Sequence, residues 1–108
     1  MLKNPLPDCP VETTLQLIGD KWKILIIRDL LEGIKRFNEL KKSLTGITQK
    51  VLTSKLRDME DSGLLTRKIY PEVPPKVEYS LTNLGSSLFP ILENLAAWGD
   101  EYKKAYSN

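Results

Sequence analysis

Two cations and two hydroxyl groups recur along one side of the segment 48–63, and their spacing is suited to binding a polyanion. At 100° per residue, one side of a helix here carries Lys50, Thr53, Ser54 and Arg57. The opposite side is apolar and carries Val51, Leu52, Leu56 and Met59. Lysine, arginine and hydroxyl groups contact phosphates and base edges in DNA. A charged outer face is also ordinary for a solvated surface helix, so the helix alone leaves both interpretations open.

Local signals at both ends of this segment agree with a helix. Thr48 can cap the first turn, because its side-chain oxygen can accept a hydrogen bond from a free backbone N–H group. Ile47 can pack against the first turn as a hydrophobic staple. Gly63 can end the helix, because glycine adopts a positive φ without steric penalty.

The overall net charge of +2 conceals a strongly basic block. Residues 33–57 contain seven lysines and arginines against one acid, Glu39, which gives this block a net charge of +6. A local positive field of this kind attracts polyanions such as nucleic acids. An acidic protein partner is the alternative for the same block.

The neighbouring segments predict a helix-turn-helix over 36–62 and a β-hairpin over 64–81. Phe37, Leu40 and Leu44 define a short helix, and a turn containing Gly46 separates it from the next one. Residues 65–70 and 76–81 are rich in β-branched and aromatic side chains and flank a proline-rich tip. An ordinary helical hairpin is the alternative for the helix pair. The β-hairpin can act as a DNA-binding wing, or only cover the core through Leu65, Ile69, Val77 and Tyr79.

The N-terminal part predicts an irregular arm and two helices. Residues 1–8 contain two prolines and show no periodicity. Pro10 suits the first turn of a helix that ends at Ile18. Asp20 can cap a second helix over 21–32, which is apolar nearly all round and is expected at the centre of the core.

A continuous apolar stripe marks the C-terminal region, where we expect a long helix over 83–106 capped by Thr82. Pro90 is expected to kink or split this helix near Ser86. The stripe offers more apolar surface than one small core needs, which predicts a homodimer. Burial of the stripe within the monomer is the alternative. The residues expected in the dimer interface are Leu88, Leu92, Leu95, Trp98 and Tyr102.

Several long blocks of the sequence resemble the HxlR-type regulators, which are bacterial winged helix-turn-helix proteins related to the MarR group. The resemblance runs from about Cys9 to Trp98 and rests on CPVETTLQLIGDKWKILIIRDLLEG, KRFNELKKSLTGITQKVLTSKLRDMEDSGLLTRKIYPEVPPKVEYSLTNLG and AAWG, in that order. It implies a dimer that binds promoter DNA sequence-specifically and represses or activates neighbouring genes. The expected fold is mainly α with a small β-hairpin. It is a single winged helix-turn-helix domain over 1–108 with terminal dimerisation helices.

The expected partner is double-stranded DNA, and the expected contacts divide by role. We interpret the helix over 48–63 as a recognition helix. Its side chains expected near base edges are Gln49, Lys50, Thr53 and Ser54, and Thr48 at its start is also expected in the DNA interface. Other cations are expected on phosphates or in the minor groove, and these are Lys41, Lys42, Arg57, Arg67, Lys68 and Lys76. A winged-helix module that binds a protein instead of DNA remains the alternative.

Cys9 is the only cysteine in the chain. It precedes the first helix, whose free backbone N–H groups interact favourably with an anion, whereas the neighbouring Asp8 opposes one. Some members of the resembled family sense quinones or oxidants through an N-terminal cysteine in a similar position. Cys9 is therefore either a redox or electrophile sensor or a small buried residue beside Pro10 and Val11.

The composition argues against an enzyme. The chain has no histidine, one cysteine cannot form a zinc site, and no glycine-rich phosphate loop occurs. We expect no catalytic residues, no metal and no cofactor, and no effector site can be read from the pattern. Apolar runs such as 24–27 are far shorter than the roughly 18 residues of a membrane span. The N-terminus also lacks the apolar core of a signal peptide, so a cytoplasmic location without membrane contact is expected.

Overall fold

The computed structural model describes residues 5–107, which form six helices and one small antiparallel sheet. Residues 5–8 carry neither helix nor strand, and the rest of the expected arm lies outside the described residues. The mainly helical fold with a small sheet confirms the predicted fold class. The elements are α1 (Pro10–Ile18), α2 (Lys21–Leu31), β1 (Lys35–Arg36), α3 (Phe37–Ser43), α4 (Gln49–Asp61), β2 (Leu65–Tyr70), β3 (Lys76–Leu81), α5 (Asn83–Ser86) and α6 (Phe89–Tyr106).

Polar side chains begin three of the helices. The Asp20 carboxylate accepts a hydrogen bond from the Lys23 N–H of α2 at 2.8 Å. Thr48 Oγ1 accepts from the Val51 N–H of α4 at 3.1 Å, and Thr82 Oγ1 accepts from the Gly85 N–H of α5 at 3.0 Å. These bonds satisfy backbone donors that have no partner within the helix. After α4, Gly63 turns the chain at a φ of 79°.

The core lies between α2, α3, α4 and the first residue of β2. Ile26 and Ile27 of α2 are fully buried, as the apolar character of this helix predicts. They pack in one cluster with other buried side chains, which include Leu40, Leu44, Leu52, Leu56, Met59 and Leu65. The helix-turn-helix is thereby fixed against α2, so the outer face of α4 has a defined orientation.

The sheet contains a third strand that the sequence did not predict. Its order is β1-β3-β2, and β1 pairs Lys35 with Tyr79 and Arg36 with Glu78. A two-residue strand is too short to show the alternation that reveals a strand in sequence. The first helix of the helix-turn-helix consequently begins at Phe37, and Arg36 belongs to the sheet.

The register of β2 and β3 assigns each hairpin residue to one of two faces. Leu65, Arg67 and Ile69 lie opposite Leu81, Tyr79 and Val77, and Leu65 is buried in the core. The outward face carries the intervening pairs, in which Thr66, Lys68 and Tyr70 lie opposite Ser80, Glu78 and Lys76. The alternative in which the hairpin only covers the core does not hold at Ile69, because this side chain is 58% exposed. The hairpin extends past the helices at this point, and residues 71–75 of its tip are exposed as well.

A break at Ser87 and Leu88 divides the expected helix over 83–106 into α5 and α6. Pro90 lies in the first turn of α6, where its missing N–H has no intrahelical partner to lose. At Gly85, α5 approaches the chain after α4 so closely that a Cβ atom would collide with the Leu64 carbonyl oxygen. Among residues 5–107, no helix has the length and apolar character needed to cross a membrane.

Candidate nucleic-acid interface

The outer face of α4 forms a shallow groove that contains most of the predicted base-reading residues. It is lined by Gln49, Lys50, Thr53, Ser54, Arg57, Asp58 and Asp61. The apolar side of the same helix is anchored by three buried side chains, Leu52, Leu56 and Met59. Gln49 and Lys50 lie in the N-terminal part of the groove, whereas Arg57 lies beside the two acids in its C-terminal part. An approaching polyanion is therefore favoured at the start of the helix.

Thr48 is at the start of this groove as the N-cap of α4. Its oxygen accepts the Val51 N–H, so the hydroxyl group retains one hydrogen to donate outward. Lys41 and Lys42 lie on the last turn of α3, and both are exposed. The two helices of the motif thus both present cations to the solvent.

Not every cation of the basic block faces outward. The Lys55 ammonium turns back to α2, where its Nζ lies 2.9 Å from Asp20 Oδ2. Lys35 similarly lies 3.3 Å from Glu32 Oε1. The block therefore contributes a smaller set of exposed cations to the surface, which are Arg36, Lys41, Lys42, Lys50 and Arg57.

The Asp20 carboxylate contacts both the start of α2 and Lys55 of α4. Partial burial raises the pKa of Asp20, but the hydrogen bonds from the Lys23 N–H and the Lys55 ammonium outweigh this effect and hold the pKa below its ordinary value. The carboxylate both caps α2 and fixes the middle of α4 against it. Its position therefore affects how firmly α4 is held.

The structure separates the three predicted cations of the wing. Arg67 faces α4, where its Nε lies 3.4 Å from Glu60 Oε1, beside Arg57 and Tyr79. Burial raises the pKa of Tyr79, which the Arg67 guanidinium opposes. Lys68 and Lys76 lie on the opposite, outward face, because successive side chains of a strand alternate. The wing can therefore present cations on both of its sides.

Arg36 is a candidate contact residue that the sequence reasoning missed. It is exposed and pairs with Glu78, so its side chain shares the outward face with Lys68 and Lys76. A hollow runs from Arg36 along the start of α3 to the tip of the wing. The basic block already contained this arginine, but its position beside the wing depends on a pairing between residues 42 positions apart.

The predicted dimerisation residues divide into two groups. Leu88 and Leu92 pack against the core as partly buried side chains. Leu95, Trp98 and Tyr102 remain 48%, 68% and 52% exposed, and the last two rings stack with centroids 5.5 Å apart. The distal half of the stripe is thus not covered within the monomer. Further exposed apolar side chains lie on the other terminal helices, among them Val11, Leu15 and Leu84.

Cys9 is exposed at the N-cap of α1, and its side chain makes no capping hydrogen bond. Its backbone carbonyl instead accepts hydrogen bonds from the backbone N–H and the hydroxyl of Thr13. The buried alternative for Cys9 is wrong, because Pro10 and Val11 are exposed beside it. Within residues 5–107, no group of three or more histidine, cysteine, aspartate or glutamate side chains is placed to hold a metal ion.

The helix-turn-helix, the adjoining hairpin and the exposed cations define a winged helix-turn-helix protein. The sequence profile of the family described as HxlR-like helix-turn-helix matches residues 17–107. The chain belongs to this family, as the resemblance in the sequence predicted.

Two proteins of similar sequence support the assignment to helix-turn-helix regulators. The chain is 50% identical over 95 residues to YdeP of Bacillus subtilis, covering 88% of this chain and 74% of that protein. It is 53% identical over 94 residues to YkvN of the same organism, covering 87% of this chain and 80% of that protein. Both carry the name HTH-type transcriptional regulator. The family and these relatives are regulators of transcription rather than enzymes.

Solved structures of similar sequence share the fold. The redox regulator HypR in its reduced form superposes with a TM-score of 0.86 at 43% identity, covering 92% of this chain and 98% of that chain. The oxidised form of HypR superposes with a TM-score of 0.81 at 47% identity, covering 86% of this chain and 96% of that chain. The HTH-type regulator ytcD superposes with a TM-score of 0.85 at 48% identity, covering 89% of this chain and 98% of that chain.

Proposed function

We propose that the protein is a homodimeric transcription regulator that binds an inverted-repeat site in promoter DNA. The observation that carries this proposal is the groove along α4, with Gln49, Lys50, Thr53 and Ser54 on a helix anchored by its buried face. A helix presented in this way enters the major groove of DNA, where its N-terminal residues reach base edges. Membership of the HxlR-like family supports this assignment.

The roles of the side chains follow from their positions. Amide, hydroxyl and ammonium groups at the start of α4 approach base edges, on which they can discriminate sequence. Arg57 and the lysines at the end of α3 contact phosphates on either side of the major groove. Lys68 and Lys76 contact the flanking backbone or minor groove from the outward face of the wing, and Arg67 does so from the face beside α4.

Dimerisation is supported by the exposed aromatic and aliphatic side chains of α6 and α1. None of the 18 residues of α6 is buried in the monomer. Removing apolar surface from water contributes about 25 cal/mol per Å², so a second copy of this chain gains by covering Leu95, Trp98 and Tyr102. Two-fold symmetry then places two recognition helices on one face of the DNA, roughly 34–36 Å apart or a multiple of that distance.

Selection of bound sequences from a random duplex library tests this proposal. We expect an inverted repeat whose half-sites are centred about 10–10.5 base pairs apart, or a multiple of that spacing. With roughly six to eight phosphates neutralised per dimer, log K against log salt should have a slope of about −5 to −7. A protein that binds no duplex, but captures an acidic protein through the same cations, would instead be a protein-interaction module.

A second function, a response to oxidants or electrophiles through Cys9, is favoured by the exposure of its thiol. The similarity to both forms of the redox regulator HypR supports this proposal. Alkylation of Cys9 adds a group beside α1. Alternatively, two Cys9 thiols of a dimer form a disulfide, passing two electrons and two protons to an oxidant such as diamide. Either change at the terminal helices alters the spacing of the recognition helices.

Measuring DNA affinity before and after treatment with diamide or a quinone tests the response. Wild-type protein should lose affinity, and the Cys9→Ser variant should retain it. Equal responses in both proteins, or no response in either, would show that Cys9 is not the sensor.

A further inference from the structure

The two outward-facing pairs nearest the wing tip carry a cluster of four side chains. Tyr70 lies opposite Lys76, and Lys68 lies opposite Glu78. The ammonium groups of Lys68 and Lys76 lie 4.9 and 4.3 Å from the centroid of the same Tyr70 ring. Both lysines of the outward face are therefore gathered around one aromatic side chain.

Glu78 fixes this ring from the other side of the cluster. The Tyr70 hydroxyl donates to Glu78 Oε1 at 2.9 Å, while Lys76 Nζ lies 3.9 Å from Glu78 Oε2. The tyrosine is thus held at its backbone and at its hydroxyl group. Its hydrogen bond is shielded, since Tyr70 and Glu78 are both partly buried.

The arrangement opposes the tendency of two lysines to separate. Like charges repel, and each lysine loses side-chain entropy when it is confined. The negative face of an aromatic ring attracts an ammonium group, and the Glu78 carboxylate adds a further attraction. Because both ammonium groups stay near one ring, the wing carries a paired cation whose geometry exists before any partner binds.

We propose that Tyr70 is a positioning residue for DNA binding, which holds Lys68 and Lys76 together for the phosphates of one strand beside the recognition site. Tyr70 itself contacts no phosphate and reads no base. This inference rests on the proposed function, because it assigns to the wing a role in the same complex. Its physical content, the ordered pair of lysines, is a property of the free protein.

A measurement without DNA tests the geometry. An aromatic ring displaces the NMR signals of protons held over its face, so the ε-methylene protons of Lys68 and Lys76 should resonate upfield of those of Lys41 and Lys42. Replacing Tyr70 by Leu should remove this displacement, and Tyr70→Phe, which keeps the ring, should retain most of it. Unshifted lysine signals in the wild-type protein would overturn the proposal without any variant having to fold.

A second measurement tests the consequence for binding. Tyr70→Leu should weaken binding to the selected DNA about three- to tenfold and make the slope of log K against log salt less steep by about 1. In the Lys68→Ala/Lys76→Ala background, the same change should have no further effect. Ile69→Ala is the matched control, because Ile69 is exposed on the other face of the same strand, and it should leave the slope unchanged.

The outcomes separate this inference from the proposed function. The positioning role would be overturned if Tyr70→Leu kept the wild-type slope of log K against log salt. It would also be overturned if Tyr70→Leu caused the same loss of affinity with and without the two lysines. Either result would leave DNA binding intact. Wild-type protein that binds no duplex would overturn the proposed function, whereas the NMR displacement would still report on the lysine pair. Should Tyr70→Leu unfold, Tyr70→Ile keeps a strand-forming side chain and serves the same comparison.

Discussion

At the scale of single residues, the position of α4 and its neighbouring helices depends on carboxylate and hydroxyl groups that cap helix starts. Thr48, Asp20 and Thr82 each cap a helix, and their residue types and positions allowed this role to be predicted from the sequence. The second contact of Asp20, with Lys55, could not be predicted, because it joins residues 35 positions apart. Long-range pairing depends on how the helices pack, which local periodicity does not determine.

The first prediction concerns Asp20. Replacing it by Ala should lower the free energy of unfolding by about 1–2 kcal/mol at neutral pH, because α2 loses its cap and α4 loses its tie to α2. Urea unfolding measures this change. Lys55→Met, which removes only the partly exposed ion pair, should cost about 0–1 kcal/mol and serves as the control.

The pH dependence of the same pair has a defined sign. The pKa of Asp20 is lower in the folded protein than its ordinary value of 3.8, so the stabilisation is present above that value and is lost as the pH falls through the folded pKa. The difference in stability between wild type and Asp20→Asn should therefore shrink on acidification below about pH 4. A difference that is constant from pH 7 to pH 3 would show that the charge of Asp20 contributes nothing.

At the scale of elements, α5 rests directly on the chain that follows the recognition helix. Thr82 Oγ1 donates to the Gly63 carbonyl at 2.6 Å, and the Thr82 N–H donates to the Leu64 carbonyl at 3.1 Å. Gly85 packs against the same Leu64 carbonyl. The end of α4 and the start of the C-terminal helices therefore form one rigid joint.

The second prediction follows from this joint. Gly85→Ala should destabilise the protein by about 1–3 kcal/mol, because the added methyl group collides with backbone that cannot yield. Gly99→Ala is the matched control, since nothing lies within 4 Å of a Cβ atom there. It should be neutral or stabilise α6 by up to about 1 kcal/mol, as alanine favours a helix over glycine. Thermal unfolding that ranks the two variants equally would contradict the close packing at Gly85.

The elements themselves were largely predictable, and the exceptions have physical reasons. The pattern of apolar residues identified the helices from α1 to α4, and a composition rich in β-branched and aromatic residues identified the two strands of the wing. The strand β1 was missed because two residues carry no periodic signal, and Ile69 was misplaced because alternation gives the face of a strand but not how far the core extends under it. The group of exposed cations around the wing, with Arg36 among them, depends on that missed strand.

At the scale of the whole molecule, one long helix remains largely uncovered. The described chain extends over 52 × 37 × 24 Å, and α6 contributes only partly buried side chains such as Leu92 to the core. The stripe of Leu95, Trp98 and Tyr102 continues beyond it into solvent. The sequence pattern identified this stripe, but only the packing of α6 shows which half of it stays exposed.

The third prediction concerns assembly through this stripe. Trp98→Asp should convert the dimer to monomers, because a charge would replace the most exposed of the three side chains Leu95, Trp98 and Tyr102. Sedimentation velocity at micromolar concentration measures the change. Ala96→Asp places the same charge on the other side of α6 and should leave the dimer intact. A wild-type monomer, or a dimer that tolerates Trp98→Asp, would place the interface elsewhere.

The central claim, that the outer face of α4 reads DNA sequence, is tested most directly by comparing Gln49→Ala with the wild type on the selected inverted repeat and on random duplex. Gln16→Ala, which removes the same amide from the exposed face of α1, is the control. If Gln49 contacts a base edge, its loss should weaken binding to the selected site by about 1–3 kcal/mol, leave random-duplex binding nearly unchanged and relax the preference at one position of each half-site. Equal losses on the selected site and on random duplex would contradict the claim.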